Sequence, residues 1–374
     1  MRLRVLPAAG MMAAAALGFA CVETTAPLPP PEELLLVVNT GDATLSVVSR
    51  DEPAQQVRVG LGGAVPADAR PAAGRLFAVV AAGGGDSLAV VDLRQRRLDG
   101  MVFLGAGAGA LGAVVIGDTV ALIALAARDS VARVHLVTGE TTRVAVGHSP
   151  KDLALARGKL FVVNANVDPC PPPDDQCPVG ESWITVLDPV RLTPAGGRDS
   201  IPLPGPGNAS YAAVGADGRI YVLSSGGPDA PAGRLSIVDP VTQSEVGSFG
   251  GFGDHPGPIA ADRGERILVS SPTEGLMEFN TRTRSVVRGA GNAIPVVFNR
   301  GVAADSRNSI YGIEAGSCTG GVSGRARVFR PDFTEASAVP LGPCARAATI
   351  ALIPPLVEAP ARVGAGFIPP LPIP

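Results

Sequence analysis

The sequence predicts an all-β fold, a seven-bladed β-propeller closed by a C-terminal strand that completes the N-terminal blade. Three observations support this prediction. A strongly apolar strand recurs seven times at intervals of 40 to 60 residues, each copy is followed by a polar turn and a second strand, and the two chain ends carry complementary parts of one repeat. The seven apolar strands begin at Leu34, Arg75, Thr119, Lys159, Arg219, Arg266 and Ser309.

Each repeat has room for four short strands, which is typical of a propeller blade. The second strand of a copy reads, for example, Leu88-Ala-Val-Val-Asp92, and a weaker third strand follows another turn. The first copy lacks the short run that precedes every other copy, and the last copy ends with that run, Ala348–Ile353. Pairing the two ends would close the ring and leave no exposed sheet edge.

Composition is consistent with many strands joined by tight turns. The 374 residues include 47 Gly and 36 Pro, yet 46% are hydrophobic and these fall in short β-type runs. The formal net charge is −3. We therefore expect no nucleic-acid partner, because such binding needs a concentrated basic surface.

The N-terminus carries an export signal. Arg2 and Arg4 precede an uncharged apolar segment, Val5–Ala20, and the segment ends in Leu17-Gly-Phe-Ala-Cys21. This ending resembles the bacterial lipoprotein signal, which implies that Cys21 is lipidated and anchors the chain to a membrane. Ordinary cleavage after Ala20 is the alternative, since Gly18 and Ala20 satisfy the small-x-small rule.

These signals divide the chain into four predicted parts. They are a signal peptide (1–20), a Pro-rich tether (21–33), the propeller (34–353) and a Pro-rich disordered tail (354–374). The expected location is the bacterial cell envelope, on the extracytoplasmic side, and the outer membrane where the host has two membranes.

Five cysteines in an exported chain leave one odd. Assigning Cys21 to the lipid leaves Cys170 and Cys177 in one Pro-rich loop, and Cys318 and Cys344 on one rim of the last blade. Two disulfides are expected in an oxidising compartment. A zinc site built from the four is less favoured, because no C-x-x-C spacing occurs.

The repeats resemble the surface-layer-type "YVTN" β-propeller family. Its unit has a strand ending V-V-N, then S-V-V-D, a Thr-rich turn and V-G-x-x-P-x-x-[VI]-A. Lys159–Asn164, Val146–Ala154 and Leu235–Thr242 match this unit closely, and the resemblance spans Leu34–Ile353. It implies an exported binding or scaffold protein, and the fold hosts both enzymes and binders.

The long insertions are predicted to lie on one rim. With strands a to d numbered from the axis outward, the d–a and b–c connections share a rim, and the insertions at 165–182, 225–233 and 316–324 are b–c loops. Because loops carry function more often than the scaffold does, this rim is the candidate binding face. Simple tolerance of long loops is the alternative. Trp183 closes the first loop and would either pack it or contact a partner.

Five basic or titratable side chains are candidates for a polar ring at the channel mouth. They lie in or beside d–a connections and are His148, Lys151, His255, Arg300 and Arg346. Such a ring would suit an anionic ligand. The alternative is that they are solvated turn residues next to Pro.

The sequence favours a non-catalytic, membrane-anchored protein whose long-loop rim binds a protein, peptide, glycan or envelope component. No cofactor, metal or catalytic residue is predicted. The competing hypothesis is a propeller-type enzyme, such as a lyase resembling streptogramin lyases or a cofactor-dependent dehydrogenase. A lyase of that kind would need His148, His255 and Glu274 around one cleft.

Overall fold

Seven four-stranded antiparallel sheets follow one another around a ring, so the predicted seven-bladed propeller is confirmed. The computed structural model describes residues 29–170, 176–205, 207–227 and 233–355. Cys21, the predicted signal peptide, residues 21–28 of the predicted tether and residues 356–374 of the predicted tail lie outside the described residues. In the described part of the chain, no helix is both long enough and apolar enough to span a bilayer.

The strands are numbered in chain order and the blades from 1 to 7. Blade 1 has β1 (Glu32–Asn39), β2 (Thr44–Ser49) and β3 (Val57–Gly60). Blade 2 has β4 (Ala72–Ala73), β5 (Phe77–Ala82), β6 (Ser87–Asp92) and β7 (Arg97–Phe103). Blade 3 has β8 (Ala110–Ile116), β9 (Val120–Leu125), β10 (Ser130–His135) and β11 (Thr141–Ala145). Blade 4 has β12 (Pro150–Ala156), β13 (Lys159–Asn164), β16 (Ser182–Leu187) and β17 (Ser200–Leu203), with the hairpin β14 (Val167–Pro169) and β15 (Gln176–Pro178) between β13 and β16.

The remaining blades follow the same pattern. Blade 5 has β18 (Ala209–Val214), β19 (Ile220–Ser224), β20 (Arg234–Asp239) and β21 (Ser244–Phe249). Blade 6 has β22 (Ile259–Ala261), β23 (Arg266–Ser271), β24 (Gly275–Asn280) and β25 (Ser285–Arg288). Blade 7 has β26 (Asn299–Ala304), β27 (Ile310–Glu314), β28 (Ser323–Phe329) and β29 (Glu335–Pro343), and β30 (Ala345–Ile353) returns to blade 1. Among the described residues, three single-turn 3₁₀ helices lie in connections, at Pro53–Gln55, Gly83–Gly85 and Ala126–Arg128.

Ring closure occurs as the sequence predicted. β30 pairs antiparallel with β1 and becomes strand a of blade 1, and neighbouring a strands contact one another all the way round, from β4 to β30 and back to β4. β1 begins at Glu32, two residues earlier than the predicted start of the propeller. Glu33 is buried there because its carboxylate accepts hydrogen bonds from the backbone N–H and hydroxyl of Ser306, at 3.1 and 2.8 Å, and pairs with Arg50.

The hydrophobic core lies between the blades. The b strands and most c strands are buried on both faces because each sheet packs against its two neighbours, and this explains their continuous Val, Leu and Ala runs. The outer d strands instead alternate between exposed and part-buried residues, as in β7. This core supports the connections that form the two rims.

Candidate functional site

The long-loop rim carries the d–a and b–c connections, and two disulfides secure it. Cys170 pairs with Cys177 across the β14–β15 hairpin, and Cys318 in the blade 7 b–c loop pairs with Cys344 between β29 and β30. Both predicted pairings are confirmed.

A small cavity opens on this rim near the axis. Its volume is about 80 Å³, which leaves room for a terminal group of a ligand rather than for a whole sugar or cofactor. The polar residues that line it come from five of the seven blades or their d–a connections, and they are Asp68, Arg70, Tyr211, His255, Arg300 and Arg346. Three of the five predicted ring members, His255, Arg300 and Arg346, are therefore brought together.

Positive charge in this cavity is only partly balanced. Arg300 and Arg346 are the second residues of β26 and β30, and neither forms an ion pair with a carboxylate in the described part of the chain. Burial lowers the pKa of the Arg346 guanidinium, and the like charge of Arg300 lowers it further. Asp68 is the one carboxylate among the described lining residues, and its Oδ2 also faces Lys151 Nζ at 3.9 Å. An incoming anion would relieve this repulsion.

Arg70 separates the rim cavity from a larger axial cavity of about 340 Å³, and it lines both. Its Nη1 lies 2.7 Å from Asp152 Oδ2 on β12, and its Nη2 donates to the Ser210 carbonyl on β18 at 2.6 Å. The guanidinium also stacks on the Tyr211 ring, 4.2 Å from its centroid. Burial raises the pKa of the Tyr211 hydroxyl to about 12. Because Asp152 neutralises its charge, we assign Arg70 a structural role: it lies across the channel between the two cavities.

Lys151 does not line the rim cavity, although the sequence placed it in the ring. It is only 2% exposed, and its Nζ contacts the Gln176 side-chain oxygen on β15. Burial lowers its pKa to about 8. The β14–β15 hairpin covers this amine, a contact that the sequence did not predict.

His148 also lies away from the cavity, where it joins two loops. Its Nδ1 lies 3.1 Å from Asp129 Oδ1 in the blade 3 b–c loop, and its Nε2 lies 2.9 Å from Asp168 Oδ1 on β14. These hydrogen bonds raise the pKa of the imidazole, Asp129 having the larger effect. His148 therefore links the b–c loop of blade 3 to the β14–β15 hairpin.

The three side chains that a lyase would need are not gathered at this cavity. His255 lines the cavity, His148 is held by Asp129 and Asp168, and Glu274 lies against Gly253 instead of lining it. The described residues contain no group of three His, Cys, Asp or Glu side chains suited to a metal ion.

Trp183 packs against the scaffold. It lies on β16, opposite Asn164 of β13, and its ring is so close to Gly147 that a side chain at Gly147 would collide with it. This fits the packing interpretation of Trp183.

Sequence inspection missed Arg70, Asp68 and Tyr211. Arg70 and Asp68 lie in the β3–β4 connection, a d–a connection in one of the less regular parts of the repeat pattern. A scan of every d–a connection for charged residues would have found both. Tyr211 would not have been found, because its role depends on Arg70, 141 positions away, stacking on its ring.

Comparison with known proteins supports the fold. No family model and no curated protein matches the chain. A chain of hydrazine synthase from Kuenenia stuttgartiensis has a TM-score of 0.59 and 14% identity, over 79% of this chain and 97% of that one. A functionally unknown protein from Desulfotomaculum acetoxidans has a TM-score of 0.60 and 14% identity, over 86% and 99%. A streptogramin B lyase has a TM-score of 0.57 and 9% identity, over 85% and 91%. At these identities the likeness establishes the propeller alone.

Proposed function

We propose that the chain is a membrane-tethered, extracytoplasmic binding protein of the YVTN-like type, and that its rim cavity holds an anionic group of the ligand. One observation carries the binding proposal: Arg300 and Arg346 converge on one small cavity without a dedicated carboxylate partner among the described residues. Positive charge focused in a cleft with low-dielectric walls attracts anions. His255 adds a hydrogen-bond donor at the same place.

The location rests on separate evidence. Two disulfides favour an oxidising compartment, and the segment before Cys21 resembles a lipoprotein signal. A tethered binding protein needs both a fixed anchor and an accessible rim. The Pro-rich segment after Cys21 would supply a stiff spacer between them.

Thermal unfolding with added inorganic phosphate tests the cavity. At constant ionic strength, an anion that binds only the folded state stabilises it and therefore raises the melting temperature. The stabilisation is about 2.7 kcal/mol when the free anion concentration is one hundred times Kd. Arg300→Gln and Arg346→Gln should abolish the specific rise. Arg330→Gln is the matched control, because Arg330 is exposed in the β28–β29 turn on the opposite rim. An equal rise in all four proteins would refute a specific anion site.

The tether is tested by the mass and membrane partitioning of the mature protein. The wild type should carry an acyl mass and sediment with membranes, whereas Cys21→Ser should be released. A wild type that begins at an unmodified Cys21 would remove the tether from the proposal and leave the binding site untouched.

A further inference from the structure

An open apolar groove lies on the same rim, at blade 7. Its volume is about 460 Å³, and three large apolar side chains at its edge are more than half exposed. They are Val297 (64%), Phe298 (58%) and Val322 (61%). An apolar cluster facing solvent beside polar walls is typical of an interaction surface.

Phe298 is held in an unfavourable backbone conformation. Its φ is +46°, in the left-handed region that bulky side chains rarely adopt. Its carbonyl accepts a hydrogen bond from the Ala315 N–H at 3.3 Å, which ties it to the end of β27. Ser149, Asn208 and Cys344 also have positive φ and accept the same hydrogen bond at the corresponding turns of other blades, so this conformation belongs to the repeated d–a turn. At blade 7 the turn carries an aromatic ring that is more than half exposed.

The groove lies next to the cationic cavity, although no residue lines both. One residue, Asn299, separates Phe298 from Arg300, so their Cα atoms lie at most about 7 Å apart. On the other side, Arg346 contacts both sulfurs of the Cys318–Cys344 disulfide, with Nε 3.4 Å from Cys344 Sγ and Nη2 3.8 Å from Cys318 Sγ. Cys318 belongs to the loop whose residues wall the groove. One surface therefore presents an apolar trough beside two arginines.

We infer that this surface binds the C-terminal end of a peptide, with the terminal carboxylate at Arg300 and Arg346 and the last apolar side chain against Phe298 and Val322. The inference rests on the proposed anion site and specifies its ligand. The adjacent charges and apolar groups complement a carboxylate attached directly to an apolar residue.

The groove walls favour a peptide over a fatty acid, which offers the same two chemical features. Glu314 and Arg325 line the groove and form an ion pair there. A hydrocarbon chain would remove water from these charged groups and offer no hydrogen bonds in place of those lost to water. Peptide N–H and C=O groups can form such bonds.

Fluorescence anisotropy with the full-length protein tests this. The probes are two labelled hexapeptides with free C-terminal carboxylates, one ending in leucine and one in phenylalanine, together with their C-terminal amides. We expect the free acids to bind and the amides to bind at least about tenfold more weakly. Phe298→Asn should weaken binding by a similar factor and still fold, because Asn tolerates the left-handed region. Val241→Ser, at a 71% exposed valine on the opposite rim, should change nothing.

The outcomes separate this inference from the proposed function. Binding that requires Arg300 but is indifferent to Phe298→Asn and Val322→Ser overturns the peptide inference and leaves the anion site. The peptide inference also fails, and the anion site stands, if phosphate stabilises the protein through Arg300 but neither hexapeptide binds. It fails likewise if labelled oleate binds with higher affinity than the peptides and its binding depends on Phe298. If the hexapeptides and phosphate still bind after Arg300→Gln and Arg346→Gln, both the peptide inference and the proposed anion site are overturned.

Discussion

The asparagine that ends strand b is a structural residue in blades 1 and 4. Asn39 and Asn164 are fully buried. The side-chain oxygen of each accepts a hydrogen bond from a backbone N–H at the preceding blade, Gly342 at 3.1 Å and Gly147 at 3.0 Å. The amide thus joins one blade to the connection that enters it. This accounts for V-V-N at the end of both strands without invoking a ligand.

Asn164→Ala should destabilise the fold. It removes the acceptor of the buried Gly147 N–H and the donor to Thr185 Oγ1, and leaving a buried polar group unpaired costs about 1–3 kcal/mol. Urea unfolding measures the loss. Asn292→Ala is the control: Asn292 accepts from the Gly289 N–H in the same way, but it is exposed, so water replaces the bond. Equal losses in the two variants would contradict the explanation.

His148 makes the attachment of the hairpin depend on pH. Its pKa is raised because hydrogen bonds to Asp129 and Asp168 stabilise the imidazolium. Since the unfolded value is about 6.5, the stabilisation is complete below that pH and is lost as the pH rises through the higher folded value. The difference in unfolding free energy between wild type and His148→Gln should therefore be larger at about pH 5.5 than at about pH 8.5.

His135→Gln is the control for this pH dependence. The described contact of His135 is the Thr138 backbone N–H rather than a carboxylate. A wild-type advantage over His148→Gln that stays constant with pH, or that appears equally over His135→Gln, would show that the two aspartates do not hold an imidazolium.

At the scale of elements, the two disulfides should contribute unequally. Loop closure predicts about 3.5 kcal/mol for Cys318–Cys344, whose partners are 26 residues apart, and about 2.5 kcal/mol for Cys170–Cys177, which are 7 apart. The first also joins the b–c loop of blade 7 to the connection that leads into β30. We expect the double variant Cys318→Ala/Cys344→Ala to lose more stability than Cys170→Ala/Cys177→Ala, as measured by urea unfolding. The reverse order would contradict this.

The strands were predictable because the same apolar pattern recurs in each repeat. A strand that is buried on both faces has a continuous run of buried, mostly apolar residues, such as Leu160–Asn164. The Cys170–Cys177 pairing in the Pro-rich loop of blade 4 was predictable, but the position of β14 and β15 over Lys151 was not, because three-residue strands rich in Pro carry no period. The burial of Glu33 was also hidden. An acidic residue next to a Pro-rich segment is expected to be exposed. Glu33 is buried because ring closure brings Ser306, 273 residues away, into hydrogen-bonding contact with it. Contacts made by closure leave no local signal.

At the scale of the whole molecule, one polar contact crosses the channel and another joins the two blades that meet where the ring closes. Arg70 connects the entry of blade 2 with β12 of blade 4 and β18 of blade 5 across the channel. Glu33 connects blade 1 with the β26–β27 turn of blade 7. Both side chains are largely buried and each has several polar partners, so Arg70 braces the ring across the channel and Glu33 braces the junction of blades 7 and 1. These braces supplement the main closure, which is the pairing of β30 with β1.

Removing β30 should therefore abolish cooperative folding. Deletion of residues 345–374 leaves β1 without its inner partner and exposes an apolar edge strand, which is a template for aggregation. We expect a broad urea transition and oligomers in size-exclusion chromatography. Deletion of residues 356–374 is the control, because it retains the whole of β30. A monomer lacking 345–374 that unfolds at the same urea concentration as the control would mean that the ring is held by contacts between blades alone.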